Sequence, residues 1–156
     1  MAAIHLIFQN GYDGSCSIPS VSDFELWIAH ALDFVKAENR ELCLRIVGET
    51  EMAELNQSYR GTPGPTNVLS FPAENLSEFG EDSLGDMLIC AEMVHFEAQN
   101  QQKSTNDHWA HLTIHGTLHL LGYDHMDDIQ AEEMEKLEID ILAGLNISNP
   151  YRASSE

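Results

Sequence analysis

The feature that most constrains this chain is the histidine-rich stretch from His115 to His125. His115 and His119 are four residues apart, so on a helix they share one face about 6 Å apart along the axis, and both imidazoles can reach one ion. Gly122 permits a left-handed helix end, after which the returning chain can bring His125 to the same point. The stretch therefore predicts a helix, a chain reversal and a three-histidine metal site with an open coordination position, as in catalytic zinc sites.

The other histidines of this helix compete for the same role. His111 and His119 are eight residues apart, about 12 Å along the axis, so they cannot both bind one zinc ion through bonds near 2.1 Å. A His111 and His115 pair leaves the third ligand unspecified. We therefore assign the metal to His115, His119 and His125, and expect His111 to line the cleft or donate a hydrogen bond. Two further histidines are expected to face solvent: His95 and His108.

The spacing matches the metzincin pattern H-E-x-x-H-x-x-G-x-x-H, except that Gly116 replaces the glutamate base. This difference argues against ordinary zinc proteolysis. Glycine inside a helix is about 1 kcal/mol less favourable than alanine, so we expect Gly116 to allow either close approach of another backbone or space for a bulky substrate. Asp124, Asp127 and Asp128 either orient a ligand imidazole or lie at a helix N-terminus.

Length and cysteine content indicate a single cytoplasmic domain. At 156 residues the chain can form one core without covalent cross-links. The three cysteines lack C-x-x-C spacing, which is typical of reduced packing residues. No basic leader or long apolar run is present, so we expect no signal peptide and no contact with a membrane.

The net charge of −19, with only seven Lys and Arg residues, is unfavourable for nonspecific nucleic-acid binding. Such a chain is repelled by polyanions and gains little from counterion release. Any nucleic-acid activity must therefore depend on a local site formed by a metal, histidines and a few placed arginines.

Apolar periodicities predict an α+β fold in the order βαβαββααα, with a mixed sheet of about four strands and helices packed chiefly on one face. The strands are expected at residues 4–8, 41–47, 66–71 and 85–90. The helices are expected from Ser22, with a capping box to Glu25, to about Val35; from Thr50 to about Ser58; at 91–102; from Ser104 or Asn106 to Leu121; and at 129–143. Residues 59–65 are expected to form a loop, residues 73–83 a surface connection, and residues 147–156 a frayed tail of the single domain spanning 1–156.

Several blocks in order resemble the bacterial YbeY family of metal-dependent endoribonucleases. They are the histidine stretch, Tyr59-Arg60-Gly61, the run from Pro65 to Pro72 and Leu84-Gly85-Asp86. The resemblance covers about residues 40–145 and implies an α+β fold with the metal in a cleft beside the sheet. Where relatives commonly have charged residues after the arginine, this chain has Thr62-Pro63-Gly64.

The resemblance implies a zinc-dependent endoribonuclease that prefers single strands and acts in 16S rRNA 3′-end maturation, rRNA processing and ribosome quality control. It places the metal ligands at His115, His119 and His125, and the functional arginine at Arg60. His115 and Arg60 are the expected catalytic residues, and Arg60 and Ser70 the expected substrate contacts. The implied partners are single-stranded rRNA, small-subunit ribosomal proteins and an Era-like assembly GTPase, with no DNA.

Two alternatives stay open. One is a metal hydrolase of another class, a peptidase or amidase whose base lies elsewhere, for example at Glu92 or Glu97. The other is a non-enzymatic ribosome-assembly module in which the metal only stabilises the C-terminal helices. An imidazole site also accepts other transition metals, including copper, nickel and iron.

Overall fold

A computed structural model describes residues 4–38, 41–73, 83–124 and 126–151. The described elements follow the expected order, βαβαββααα. The strands are β1 (His5–Asn10), β2 (Glu41–Val47), β3 (Val68–Pro72) and β4 (Ser83–Cys90). The helices are α1 (Val21–Phe34), α2 (Glu49–Arg60), α3 (Ala91–Asn100), α4 (Thr105–Leu120) and α5 (Asp128–Ala143). The predicted α+β class is therefore confirmed.

The four described strands form a mixed sheet in the order β1-β2-β4-β3. β1 and β4 both run parallel to β2, whereas β3 is antiparallel to β4. Because β3 is the edge strand, Pro72 is tolerated at its end, opposite Gly85. Gly85 has φ +129, and a Cβ there would lie 2.1 Å from the Phe71 carbonyl oxygen. Only glycine allows this approach of the two strands.

The helices divide unequally between the two faces of the sheet, as predicted. Alternate strand residues such as Leu44 and Met87 join the large core with α1, α4 and α5. The intervening residues, such as Leu88, form a smaller cluster with Met52 of α2. Helix α4 packs against α1, α3, α5, β3 and β4. It is therefore the central helix, and the histidines it carries are held by several elements.

The starts of α1 and α2 differ from the prediction. Helix α1 is capped by Ser20, whose Oγ accepts from the Asp23 N–H at 3.1 Å. The expected Ser22 capping box is wrong, because Ser20-x-x-Asp23 offers the same signal two residues earlier. Helix α2 begins at Glu49 rather than after Thr50. Its first N–H is satisfied by a carboxylate from another helix, since Glu92 Oε1 accepts from Glu49 N at 2.8 Å.

The expected loop at residues 59–65 is wrong at its start, because α2 includes Arg60. Gly61, with φ +67, ends the helix in the left-handed conformation. Ser104 caps α4, which decides between the two predicted caps.

The expected start of fraying at residue 147 is too early. Ile147 packs against the large core, and its N–H donates to the Leu142 carbonyl at 3.0 Å. The docked chain continues to Tyr151. Most of the predicted surface connection, residues 74–82, and the tail 152–156 lie outside the described residues. Among the helices described here, none has the length and apolar character needed to cross a membrane.

Candidate metal centre

The two predicted histidine ligands on α4 converge. His115 Nε2 and His119 Nε2 are 3.1 Å apart, as expected for residues one turn apart on a helix. Two nitrogens bound to one tetrahedral zinc ion at 2.0–2.1 Å lie about 3.3 Å from each other. The ring nitrogens therefore already have nearly the separation of two ligands that share one ion.

The chain reverses immediately after this pair. The Gly122 N–H donates to the His119 carbonyl at 3.0 Å, and the Tyr123 N–H donates to the Leu118 carbonyl at 3.0 Å. This is a Schellman helix end, and Gly122 has φ +100, which favours glycine. The predicted left-handed stop is confirmed. His125, the third predicted ligand, lies outside the described residues, within which no three metal-binding side chains form a site by themselves.

A buried glutamate orients His115. His115 Nδ1 lies 2.6 Å from Glu138 Oε2 on α5, and the Glu138 side chain is 0% exposed. A carboxylate acceptor favours the tautomer with its proton on Nδ1, in which the Nε2 lone pair is available to a metal. This donor set fits a zinc ion, since imidazole nitrogen is among its preferred ligands. Of the two roles expected for Asp124, Asp127 and Asp128, Asp127 has the second, since its side chain caps the N-terminus of α5.

His111 also binds this glutamate. Its Nε2 lies 2.8 Å from Glu138 Oε1, in agreement with the expected hydrogen-bond donor. Burial lowers the pKa of His111, so the ring is neutral at pH 7. Burial raises the pKa of Glu138, but hydrogen bonds from His111 and His115 outweigh it and lower the pKa to about 2. Glu138 is therefore an anion stabilised by two ring N–H donors.

The predicted solvent exposure of His108 is wrong. His108 is 3% exposed, and its Nε2 lies 2.9 Å from Glu97 Oε1. Asn67 Nδ2 donates to the same carboxylate at 3.1 Å. His95 is half-buried, with Nε2 2.9 Å from the Ser17 carbonyl oxygen. His108 therefore joins α4 to α3, and His95 joins α3 to the segment before α1. The predicted solvent-facing positions did not include such contacts.

Arg60 lines the same cleft as the histidine pair. Residues from α2, β3, α4 and the segment before β3 line one cleft of about 220 Å³; they are Arg60, Thr66, Asn67, Val68, Ser70, His115 and His119. These residues are far apart in sequence but line one cleft, because edge strand β3 contacts α4 and is the next element of the chain after α2. The structure thus gathers the predicted arginine, serine and two histidines around one cavity.

Ser70 and Gly116 attach the central helix to the sheet edge. Ser70 Oγ donates to the Gly116 carbonyl at 3.1 Å. A Cβ at Gly116 would lie 2.3 Å from Met87 Sδ and 3.2 Å from Val68 Cγ2. Close approach is therefore the reason for Gly116, although the neighbours are side chains of β3 and β4 rather than backbone. Any larger residue at this position would require the Met87 side chain to shift.

Comparison with known proteins identifies the family. The sequence matches the family profile described as "Endoribonuclease YbeY" over residues 12–146. The chain belongs to the YbeY endoribonuclease family. It is 48% identical over 149 residues to Endoribonuclease YbeY of Alteromonas mediterranea, covering 93% of this chain and 94% of that protein. It is 49% identical over 136 residues to Endoribonuclease YbeY of Coxiella burnetii, covering 86% of this chain and 90% of that protein.

A solved structure agrees with the fold of this YbeY family member. The solution structure of TM1509 from Thermotoga maritima matches with a TM-score of 0.57 and 25% identity. The match covers 94% of this chain and 99% of that one. The α+β architecture is therefore shared along nearly the whole of both chains.

Glu138 is the site residue that the sequence prediction missed. The sequence places Met134, Leu137, Ile141 and Leu142 on the apolar side of α5; Leu137 is half-buried and the other three are buried. Glu138 is four residues after Met134 and four before Leu142, so it lies on that same face. A lone carboxylate on an apolar helix face was the available signal, because a buried charge requires partners.

Proposed function

We propose that this protein is a zinc-dependent endoribonuclease that cleaves single-stranded rRNA in the cytoplasm, acting in 16S rRNA 3′-end maturation, rRNA processing and ribosome quality control. Membership of the YbeY family supports RNA cleavage. The observation that carries the zinc-dependent chemistry is the shared cleft of Arg60, His115 and His119. A phosphodiester bound there would contact a metal-binding pair and a fixed positive charge together.

The histidines would hold the ion, with His125 as the third ligand. A bound zinc ion supplies Lewis-acid stabilisation of phosphoryl oxygens and lowers the pKa of water. His115 contributes Nε2, oriented by Glu138 through Nδ1. His119 contributes Nε2 from the last turn of the same helix. Each residue thus has one defined task, which is to present a neutral ring nitrogen to the ion.

Arg60 would stabilise the charge that develops on the phosphate. Its guanidinium can donate two parallel hydrogen bonds to nonbridging oxygens, and such bonds strengthen as negative charge increases. Arg60 is the last residue of α2, and Gly61 ends the helix directly after it. Ser70 would contact the substrate from the same cleft while its hydroxyl donates to α4.

Glu92 and Glu97, the general bases suggested for a peptidase or amidase, both accept hydrogen bonds within the fold. Glu92 accepts from the first N–H of α2, and Glu97 accepts from Asn67 and His108. Both carboxylates therefore have structural partners. Neither is among the described residues that line the cleft.

Metal content and RNA cleavage, measured on the same preparations, test the proposal. We expect His119→Ala to lose both bound zinc and cleavage. We expect Arg60→Glu to keep zinc and to lose cleavage by about 100-fold or more, the effect of removing one transition-state donor. His5→Ala and Lys136→Glu are matched controls on exposed residues of β1 and α5, and both should behave as wild type.

The outcomes separate the hypotheses. Normal cleavage by Arg60→Glu would contradict the assigned role of the arginine. If wild type fails to cleave RNA yet supports ribosome assembly in a zinc-dependent manner, the non-enzymatic assembly module is the better explanation.

A further inference from the structure

Glu138 has an unusual environment for a carboxylate. Its side chain is fully buried, on the face of α5 that also carries the buried Met134, Ile141 and Leu142. A charged group in such a place is stable only when hydrogen-bonded donors surround it. The donors that reach Glu138 therefore indicate why it is there.

Three donors from two parts of the chain meet at this carboxylate. His115 Nδ1 contacts Oε2 at 2.6 Å and His111 Nε2 contacts Oε1 at 2.8 Å, both from α4. The Tyr151 hydroxyl, from the segment after α5, donates to Oε1. We call these four residues the Glu138 network. It connects the central helix, the last helix and the C-terminal segment at one point.

The geometry has a direct effect on His115. Both oxygens of Glu138 are occupied by different donors, so the carboxylate cannot rotate freely away from Nδ1. A ring whose Nδ1–H is held in this way presents Nε2 in a fixed direction. That direction is towards His119 Nε2, 3.1 Å away.

Tyr151 is positioned to complete the network. Its N–H donates to Asn149 Oδ1 at 2.8 Å, and the same segment is joined to α5 through Ile147 and Leu142. Its ring packs edge-on against His111 with a centroid distance of 5.3 Å. Burial and the neighbouring Glu138 raise the pKa of Tyr151, so its hydroxyl stays a donor at neutral pH.

We propose that Glu138 is a positioning residue for metal ligand His115, and that Tyr151 holds its carboxylate in place, so that the C-terminal segment contributes to zinc affinity. The proposal rests on the zinc site of the proposed function. It assigns a role in metal binding to two residues that do not themselves contact the ion.

The test compares Glu138→Gln with wild type in the full-length protein. Glutamine has nearly the same shape, but its single amide oxygen can accept from only one of the two histidines while its NH2 group opposes the other. We expect the zinc dissociation constant, measured by competition with a chromophoric chelator, to rise about 10- to 100-fold. Glu132→Gln, an exposed change on the same helix, is the matched control and should leave it unchanged.

A second readout reports on orientation rather than stability. Long-range proton–nitrogen NMR spectra distinguish the two tautomers of His115. We expect wild type to hold the proton on Nδ1 before and after zinc addition, and Glu138→Gln to populate both tautomers before zinc is added. A purely structural role for Glu138 would leave the tautomer unchanged.

Tyr151→Phe tests the contribution of the C-terminal segment. This change removes one of three donors while keeping the ring, so we expect about a 3- to 10-fold loss of zinc affinity. Unchanged affinity would show that Tyr151 has no part in the site, which would overturn this half of the proposal.

Zinc affinity of Glu138→Gln within twofold of wild type, or an unchanged His115 tautomer, would overturn the positioning role. If Glu138→Gln does not fold by circular dichroism, the affinity and His115 tautomer of Tyr151→Phe decide the proposal. Failure of the wild-type protein to cleave RNA would contradict the proposed function alone, because zinc affinity and tautomer are measured without substrate.

Discussion

Gly116 illustrates how one residue can have two explanations. Its place in the metzincin pattern draws attention to a missing glutamate base. In the structure the position faces Met87 and Val68, where a Cβ would come within 2.3 Å of the Met87 sulfur. Helix packing therefore disfavours a glutamate at this position independently of the reaction, because its Cβ would require Met87 to shift.

This packing predicts the effect of Gly116→Ala. Alanine favours the helix by about 1 kcal/mol, but overpacking a filled core is unfavourable by about 1–3 kcal/mol. Met87 is fully buried and cannot move aside without repacking. We expect a net loss of about 1 kcal/mol in unfolding free energy, measured by urea denaturation, together with weaker zinc binding. Equal or greater stability would mean that Met87 adapts without strain.

At Gly61 and Gly122 the backbone conformation, rather than packing, favours glycine. A Cβ at either glycine meets nothing within 4 Å among the described residues, but both have positive φ. We expect Gly61→Ala to destabilise by about 1 kcal/mol, whereas Gly61→Asn should recover much of the loss because asparagine tolerates the left-handed region. Urea denaturation of both variants measures the difference. Equal stability of the two would contradict a conformational role for the glycine.

At the level of elements, Glu97 connects α3 to both the cleft and the central helix. It accepts from Asn67, which lines the cleft, and from His108 on α4. Burial raises the pKa of Glu97, but hydrogen bonds from His108 and Asn67 outweigh it, so the net effect is a lowered pKa. The ionised carboxylate is thus favoured in the folded state.

The lowered pKa predicts a pH dependence. A carboxyl group with a depressed folded pKa stabilises the fold above its ordinary value, near 4.5, and loses that contribution as pH falls through the folded pKa. We expect Glu97→Gln to be less stable than wild type at pH 6, with the difference shrinking below pH 4.5. Urea denaturation of both proteins across this range measures it. A difference that stays constant with pH would mean that the charge of Glu97 contributes nothing.

The helix and strand order could be predicted from sequence because apolar periodicity reports which face is buried. Six apolar residues recur on one face of α1 and are predicted to be core; five of them are buried and the last is half-buried, in the order Phe24, Trp27, Ile28, Ala31, Leu32 and Val35. The start of α2 could not be predicted, since its cap comes from Glu92, 43 residues away. Glu138 was missed for the same reason, because its partners lie 23 and 27 residues earlier on another helix. Local sequence patterns predict helices and strands, whereas contacts between distant residues form only when those helices and strands pack together.

At the level of the whole molecule, the net charge of −19 governs how the protein can meet RNA. Of the described residues that line the cleft, Arg60 has the one permanent positive charge. Each phosphate contact to a single strand gives a slope of about −0.7 in log K against log salt. We expect naked RNA to bind weakly, with a slope no steeper than about −1, and Arg60→Gln to flatten it. A steep slope would reveal a basic surface elsewhere on the chain.

The weak binding expected for naked RNA suggests that another protein brings this chain to its substrate. We propose that small-subunit ribosomal proteins or an Era-like GTPase bring the protein to its rRNA, since binding to a partner raises the local substrate concentration without any basic surface. Cleavage of the same rRNA segment should then be on the order of tenfold faster, or more, in immature small-subunit particles than in protein-free RNA at equal concentration. Cleavage in particles should also depend less on salt than cleavage of naked RNA, whose binding rests on direct phosphate contacts that salt weakens. Equal rates and equal salt dependence on the two substrates would mean that the acidic body does not need a partner, and that Arg60 and the metal site suffice for recognition.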